Sequence, residues 1–548
     1  MSAIAQNSSD STSLPFTGER MVPHASDVAT ELFHWQRYLF LRPWYEAKRI
    51  IDAASGEGYG SNYASNFAQS VHGLDLSNEA ILHARRKYPR CQFDAQDVCE
   101  ADYSQADLVL SFETIEHLPS PEKFLAALQS CTGQIVISTP NRNLHSPGNC
   151  LVDKPHNPFH TVEWDPSEFA DLIQGRFEGR QVRFLSQDAT WPGTIREGLK
   201  QDSAYTIAVI GDLELPTWPK LGISVPTVNG SARCRDLVAN LTRFYPGDVE
   251  FAIVNNGSRP HETAALLQLQ SDFPSHVHLI NLKQNVGYGR GANVGLDFLS
   301  EEGRFDYFVV SNDDVVPSID CIPQLVSAME ELVQGDHNPG VIGPVTNNIS
   351  GEQQVQIGAY RSLAEMLDKS ELFHRDHHST ATSASQLRGL FMLIHPRCLS
   401  EIGGFDPRFG FGNFEDDDHN LRCRLAGFTL WIADGAFLHH QGSTTFEELK
   451  IDYSSSINRN LQLMLEKWKM QNFNEFLSLK SAPKGVSLKV DLKALPETSG
   501  KYVELFGEPV DLIKQASDME FAAFVFKQIQ IGGRESRLAI IEALAEPR

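Results

Sequence analysis

Basic residues are in short supply. The chain of 548 residues has 47 Lys and Arg against 70 Asp and Glu, a formal net charge of −23. A nucleic-acid partner calls for a basic footprint, so that class is excluded as the main partner. The charge also counts against a polybasic membrane contact, although a local patch escapes a net count. Long apolar runs are lacking too: nothing approaches the ~18 residues needed to span a bilayer, so any membrane association is expected to be peripheral. The eight cysteines are scattered and form no CxxC pair. That fits reduced thiols in a cytoplasm and excludes zinc ribbons and a disulfide framework. The start, MSAIAQNSSDSTS, lacks a basic-then-apolar signal and reads as a disordered tip over residues 1–14. There is no internal repeat. The hydrophobic fraction, 41%, is ordinary for a soluble protein, and the length calls for two or three domains rather than one core.

Residues 32–49 carry Leu32, Phe33, Trp35, Tyr38, Leu39 and Trp44 at helical spacing, which predicts a helix packed on the next unit. A short apolar strand then runs into Asp52. It is followed by a glycine loop at Gly56, Gly58 and Gly60 and a helix from about Ser61. A second strand ends at Asp75, where an acid can take the two hydroxyls of a ribose. Further strands are expected to end at Asp97, at Phe112 before Glu113-Thr-Ile-Glu116-His117, and at Asn141. Strands near Arg180–Leu185 and Tyr205–Ile210 close the sheet. Alternating strands and helices predict an α/β fold with ligand loops at the carboxyl ends of the strands.

The order Asp-x-x-x-Gly-x-Gly-x-Gly, with Glu113 to His117, resembles the class I S-adenosylmethionine-dependent methyltransferases over residues 15–214. The resemblance implies a Rossmann-like sheet and S-adenosylmethionine as cofactor, held by Asp52, Gly56, Gly58, Gly60 and Asp75, with Asp97 near the adenine amino group. Ser55 stands where the family frequently has Cys. Phe16 to Arg20, with Glu31, His34, Arg37 and Tyr38, resembles the N-terminal lid of sugar-modifying relatives. His117 is either the base for a hydroxyl acceptor or a structural histidine packing its loop. His156 and His160, on a Pro-bearing loop, either roof the acceptor site or face solvent, and Glu113 and Glu116 are expected to face water.

The prolines of 215–220 read as a linker. A second α/β unit follows, with strands expected at 221–227, 249–258, 278–281 and 307–314. A glycine-rich loop, Asn285 to Gly295, carries Gly287, Arg290 and Asn293 and precedes a helix over Ala292–Leu299; such a loop can wrap a phosphate or sugar with backbone amides. Asp313 and Asp314 sit at a strand end, where adjacent carboxylates are costly without a cation or donors. His439 and His440 add imidazole, a ligand that Mn²⁺ accepts alongside oxygen more readily than Mg²⁺ does. Glu415 to Asp418 open a helix-like run. Crowded carboxylates raise one another's pKa and make a candidate general base, although an acidic first turn also complements a helix dipole.

These motifs resemble the inverting glycosyltransferase family 2, a GT-A (nucleotide-diphospho-sugar transferase) fold, over residues 221–470. The resemblance implies donor contacts at Pro226, Thr227, Asn255, Asn285, Gly287, Arg290, Asn293 and Asp313. It puts Mn²⁺ or Mg²⁺ on Asp314, His439 and His440, and makes Asp416 the base with Glu415 its neighbour. Asn255 replaces an acid that often contacts the nucleotide.

The implied whole is a cytoplasmic, bifunctional enzyme of bacterial surface-polysaccharide (O-antigen-type) biosynthesis. It would methylate a sugar hydroxyl and transfer a glycosyl group, with inversion, from a nucleotide-diphosphate sugar to a glycan or lipid-linked glycan. The alternatives are one active half beside a nucleotide-binding scaffold, or a non-catalytic assembly platform, which would have no need of the acids. The remainder, 471–548, is expected to be a mostly helical extension, with helices at Asp518–Ile529 and Arg534–Leu544 and an oligomerisation or partner role.

Overall fold

The structure, a computed structural model, describes residue 14 and residues 20–23, 25–26, 28–377, 380–442, 453–496 and 500–508. The lid residues Phe16 to Glu19 and the helices expected at 518–529 and 534–544 lie outside these. The chain divides into two compact units between Trp218 and Pro219, with Arg243–Gly247 grouped with the first.

The first unit is built on β1 (Arg49–Ala53), β2 (Ser70–Asp75), β3 (Gln92–Ala95), β4 (Leu108–Ser111), β5 (Gln134–Pro140), β6 (Val182–Asp188), β7 (Ile195–Glu197) and β8 (Ser203–Ile210). They form one sheet in the order β3-β2-β1-β4-β5-β8-β6-β7. The first five are parallel, and β8 is antiparallel to both β5 and β6. The edge strand β7 is too short to leave a periodic signal and went unforeseen. Strands covered on both faces read as apolar runs, and β4, β5 and the antiparallel β8 are almost wholly buried. The expected helix over 32–49 is instead Val28–Phe40, followed by a 3₁₀ turn at Arg42–Trp44, because Pro43 cannot donate to a continuing helix. The glycine loop, Asp75 and the Glu113–His117 motif fall at the carboxyl ends of β1, β2 and β4, and Asp97 follows β3, all at one edge of the sheet.

The second unit holds β9 (Leu221–Thr227), β10 (Val249–Asn256), β11 (Val277–Leu282), β12 (Tyr307–Ser311), β13 (Val315–Pro317), β14 (Pro339–Thr346), β15 (Ala381–Ala384), β16 (Phe391–Ile394) and β17 (Thr429–His440). Their order is β11-β10-β9-β12-β16-β14-β17-β13, with β15 also on β17. The helix after the glycine-rich loop runs Tyr288–Glu302, longer than expected at its start. Gly289 and Gly291 therefore lie inside it. A Cβ at either would come within 2.9 Å of Phe405 or Pro226, so close packing overrides their poor helix propensity.

The acidic run begins the helix Glu415–Leu425. Its fourth acid, Asp418, is fully buried and pairs with Arg422 at 2.8 Å and Lys467 at 2.5 Å, and it accepts from Trp468 Nε1 at 2.9 Å. Leu421, Met464 and Trp468 pack beside it with Phe409 and Phe476. The expected mostly helical extension is not what the described residues 471–496 and 500–508 form: they are largely irregular, with 3₁₀ turns at Phe473–Leu477 and Tyr502–Leu505. They pack on the unit, where Val490 bridges Gly403 and Leu505 joins Val254, Leu282 and Val294. Among the described residues no helix is long and apolar enough to cross a membrane.

Burial pushes the Asp418 carboxyl up, but Arg422 and Lys467 outweigh it and hold the pKa below the ordinary value. Its stabilising contribution is therefore present above the ordinary carboxylate pKa and lost as pH falls through the depressed one. Asp418→Asn leaves buried cations uncompensated. It should cost the second unit about 3–5 kcal/mol, read by denaturant unfolding at neutral pH, with the deficit shrinking in acid.

Candidate functional site

In the second unit the strand ends converge on a cleft of about 660 Å³. Its walls include Pro226, Thr227, Asn285, Asp313, Asp314, Glu415, Asp416 and His440. Strand register explains the central pair. Val315 of β13 lies opposite His440 of β17, so Asp314, one residue earlier, reaches the same imidazole. Asp314 Oδ1 and His440 Nε2 are 3.5 Å apart. Burial raises the Asp314 pKa, but the His440 contact outweighs it and the net shift is downward; burial lowers that of His440, and Asp314 outweighs it in turn. A carboxylate and an imidazole facing one point are a donor set that fits a borderline-hard divalent ion.

His439 does not join them. Successive side chains on a strand point to opposite faces, and its Nδ1 meets the Tyr360 hydroxyl at 2.6 Å. Asp313 is buried and bound by the Thr227 hydroxyl at 2.6 Å and Arg233 at 3.1 Å. Burial raises its pKa against those donors.

Other expected donor contacts are corrected in the same way. Asn255 is fully buried, donates to Thr263 and Asn281, and accepts from the Ser258 amide. Its neighbour Asn256 reaches the cleft instead. Arg290 turns away from the cleft, donating to the Ala494 carbonyl beneath the Tyr502 ring. Asn293 clamps the backbone of Phe405 at 2.7 and 2.8 Å. Asn285 holds the turn by accepting from the Gly287 amide at 2.9 Å. Gly287, with φ of 89°, lies against Gly410, where a Cβ would sit 1.9 Å from the carbonyl oxygen.

The start of the acidic helix lines the same cleft. Asn413 and Phe414 both adopt left-handed φ, 74° and 71°, and swing Glu415 and Asp416 to the cleft wall. Asp416 accepts from the Gly389 amide at 3.0 Å and the Asp417 amide at 2.9 Å. Burial raises its pKa, opposed by the charge of Arg388. Glu415 is raised further, by burial and by Asp416, and its Oε2 has no hydrogen-bond partner. Asp417 pairs with Arg388 at 3.2 Å and is pushed up to about 7 by burial and by Asp416. Phe411, Phe414, Ile457, Leu461 and Phe473 add apolar side chains to the cleft lining; none of them was expected as a site residue from the sequence.

In the first unit Asp52 is buried under Ser61 Oγ at 2.6 Å and the Tyr38 hydroxyl. Burial, only partly offset by those donors, pushes its carboxyl up to about 7. Asp75 is half-buried and accepts from the amides of Gly56 at 3.0 Å and Ser77 at 2.8 Å. No atom lies within 4 Å of a Cβ built on Gly56, so the loop opens onto space beside Asp75. That cradle and acid fit a ligand carrying a ribose. Gly58 caps the following helix with φ of 95°. Gly60 serves packing: a Cβ there would lie 2.0 Å from the Tyr38 ring. Asp97 is exposed and accepts from Cys99 at 2.8 Å.

The helix Val28–Phe40 also reaches this end of the sheet. Arg37 pairs with Glu113 at 3.0 Å, and Ser138 donates to the same carboxylate at 2.6 Å. Glu116, expected to face water, is fully buried because Thr139 and the backbone of Thr161 close over it. His117 Nδ1 donates to the Phe159 carbonyl at 3.0 Å. His160 meets Glu163 at 2.5 Å, and His156 is exposed.

The family model described as a methyltransferase domain matches residues 24–184, and that of glycosyl transferase family 2 matches residues 223–390. The latter includes Asp313 and Asp314 and stops before the acidic helix. A probable S-adenosylmethionine-dependent methyltransferase of Mycobacterium tuberculosis is 34% identical over 201 residues, 33% of this chain and 70% of that protein. A ubiquinone biosynthesis O-methyltransferase of Burkholderia vietnamiensis is 32% identical over 109 residues, 18% of this chain and 47% of that one. Among solved structures, the methyltransferase domain of a bacterial protein, CtHen1, is 21% identical with a TM-score of 0.27, covering 33% of this chain and all of that domain.

Asp75→Ala removes the acceptor for two loop amides. S-adenosylhomocysteine should bind at least tenfold more weakly by calorimetry, with nucleotide-sugar affinity unchanged; equal affinity for S-adenosylhomocysteine in wild type and variant would remove Asp75 from that site.

Proposed function

Since the chain belongs to the S-adenosylmethionine-dependent methyltransferases through its first unit and carries a glycosyl transferase family 2 domain in its second, we propose that it is a bifunctional transferase. One unit methylates a sugar hydroxyl. The other moves a glycosyl group from a nucleotide-diphosphate sugar to a glycan or lipid-linked glycan, with inversion, in surface-polysaccharide assembly. The observation that carries the glycosyl-transfer reading is the meeting, in one cleft, of the Asp314–His440 pair and the Glu415–Asp416 pair.

The roles follow from the environments. Asp416 is raised by burial against the charge of Arg388, and is held in orientation by two backbone amides. That suits a base that takes the acceptor hydroxyl proton as the oxygen attacks the anomeric carbon. The attack comes from the face opposite the leaving diphosphate, so a single displacement inverts the configuration. Asp314 and His440 would hold Mn²⁺ or Mg²⁺, which when bound neutralises charge on the diphosphate. Asp313, tied to Thr227 and Arg233, is assigned to donor positioning. The apolar wall around Phe411 and Phe473 supports an acceptor with a hydrophobic part. In the first unit the glycine loop and Asp75 hold S-adenosylmethionine, which supplies the methyl group. Proton removal from the acceptor falls to the side chains around His117 at the carboxyl end of β4.

Asp416→Asn should lower glycosyl transfer by 10²-fold or more while S-adenosylhomocysteine still binds; transfer at the wild-type rate would remove Asp416 as the base. The base acts ionised, so transfer should rise with pH along an acid limb set above the ordinary Asp value. Arg388→Gln removes the charge that lowers the Asp416 pKa, so the limb should move to higher pH in a pH–rate profile. A fixed limb would uncouple Arg388 from the base.

A further inference from the structure

One side-chain cluster in the first unit is built in a way that proton transfer alone does not explain. Glu116, His117 and His160 each present a ligand atom, and these atoms lie within 4.8 Å of one another. Glu116 and His117 come from the turn after β4, and His160 from the loop that precedes the helix Pro166–Arg176. The Glu116 side chain is fully buried. Its Oε2 accepts from the Thr139 hydroxyl at 3.3 Å, whereas Oε1 has no hydrogen-bond partner and lies 3.9 Å from His117 Nε2. A buried carboxylate oxygen without a donor is costly, and a cation would offset that cost.

The two imidazoles are presented as ligands are. A carbonyl only accepts, so His117 Nδ1 carries the proton it shares with Phe159, and its Nε2 is the nitrogen turned toward Glu116. His160 Nδ1 lies 2.5 Å from Glu163, itself buried, in the carboxylate–histidine arrangement that aligns a metal-binding ring. The rings stand perpendicular with centroids 4.8 Å apart. The Asn157 amide nitrogen, 2.8 Å from His160 Nε2, would give way to an ion at that nitrogen.

We propose that Glu116, His117 and His160 bind a divalent transition-metal ion, with Glu163 as the positioning residue for His160. One carboxylate and two imidazoles suit Mn²⁺ or Zn²⁺ better than Mg²⁺ or Ca²⁺, which favour all-oxygen shells. The consequence for chemistry rests on the methyl-transfer reading. An ion there would make an acceptor hydroxyl more acidic, and His117 would serve as a ligand rather than as the base.

The test counts Mn²⁺ bound to the chelator-stripped full chain, from the free-ion signal in electron paramagnetic resonance. The Asp314→Asn background silences the site proposed in the second unit. That variant should still bind one ion. Adding His160→Gln should weaken it at least tenfold, and Glu163→Gln should weaken it about 10–100-fold, with S-adenosylhomocysteine binding by calorimetry as the check on folding. Should His160→Gln lose that check, His117→Gln is read in its place. No bound ion in Asp314→Asn, or an affinity indifferent to the His and Glu163 changes, overturns the inference and leaves the glycosyl-transfer reading standing. An ion count indifferent to Asp314→Asn but lost with His160→Gln supports the inference and counts against Asp314 as a ligand.

Discussion

The buried carboxylate of Asp418 is the constraint on which the second unit's site depends. It sits one helical turn inside the wall that carries Glu415 and Asp416 and is gripped by Arg422, Lys467 and Trp468. A charge buried so deeply persists only when it is fully matched, so the helix has one seat. That seat aims its first residues at the cleft. The acids of one short run thus divide into two kinds. Asp418, facing cations, has its pKa held down, whereas Glu415 and Asp416, facing each other and the cleft, are raised. Position along a single helix turn decides whether a carboxylate stabilises the fold or is left basic enough for chemistry.

The first unit separates its acids in the same manner. Asp52 is buried beneath a hydroxyl pair and supports the turn from below. Asp75, at the end of the neighbouring strand, keeps one side toward the open loop. The sheet order brings both to one edge, and it brings Glu113 and the Glu116 cluster there as well. Arg37, from the N-terminal helix, reaches that edge through Glu113 and ties the helix to the site.

Much of this was legible in the sequence. The glycine loop after β1, the spaced acid at Asp75, and Asp313 and Asp314 after β12 were readable because parallel strands are continuous apolar runs that stop at polar residues. The pairing of Asp314 with His440 lies about 126 positions apart in sequence and depends on β13 lying against β17, which no local pattern announces. The parity of strand side chains was equally hidden: it turned His439 to Tyr360 and Asn255 inward, and left His440 and Asn256 at the cleft. Arg290 and Asn293 were misread because the chain near Ala494 and Phe405 supplies their partners, and those contacts are tertiary. Glu116 looked like a solvent-facing acid because the loop that covers it arrives some forty-five residues later.

Strand β17 is paired along its length by β13, β14 and β15. Adjacent imidazoles on such a strand are interchangeable in composition but not in phase. Inserting a single residue upstream of His439 within β17 would rotate the alternation, moving His439 into the register opposite Val315 and presenting it to Asp314, with the next imidazole carried past it to the other face. The site would keep its chemistry on paper while the apolar residues of the strand exchanged core for solvent. The strand therefore tolerates substitution far better than it tolerates a change in length, and natural length variation in this unit is expected in the loops that flank β17 rather than within it.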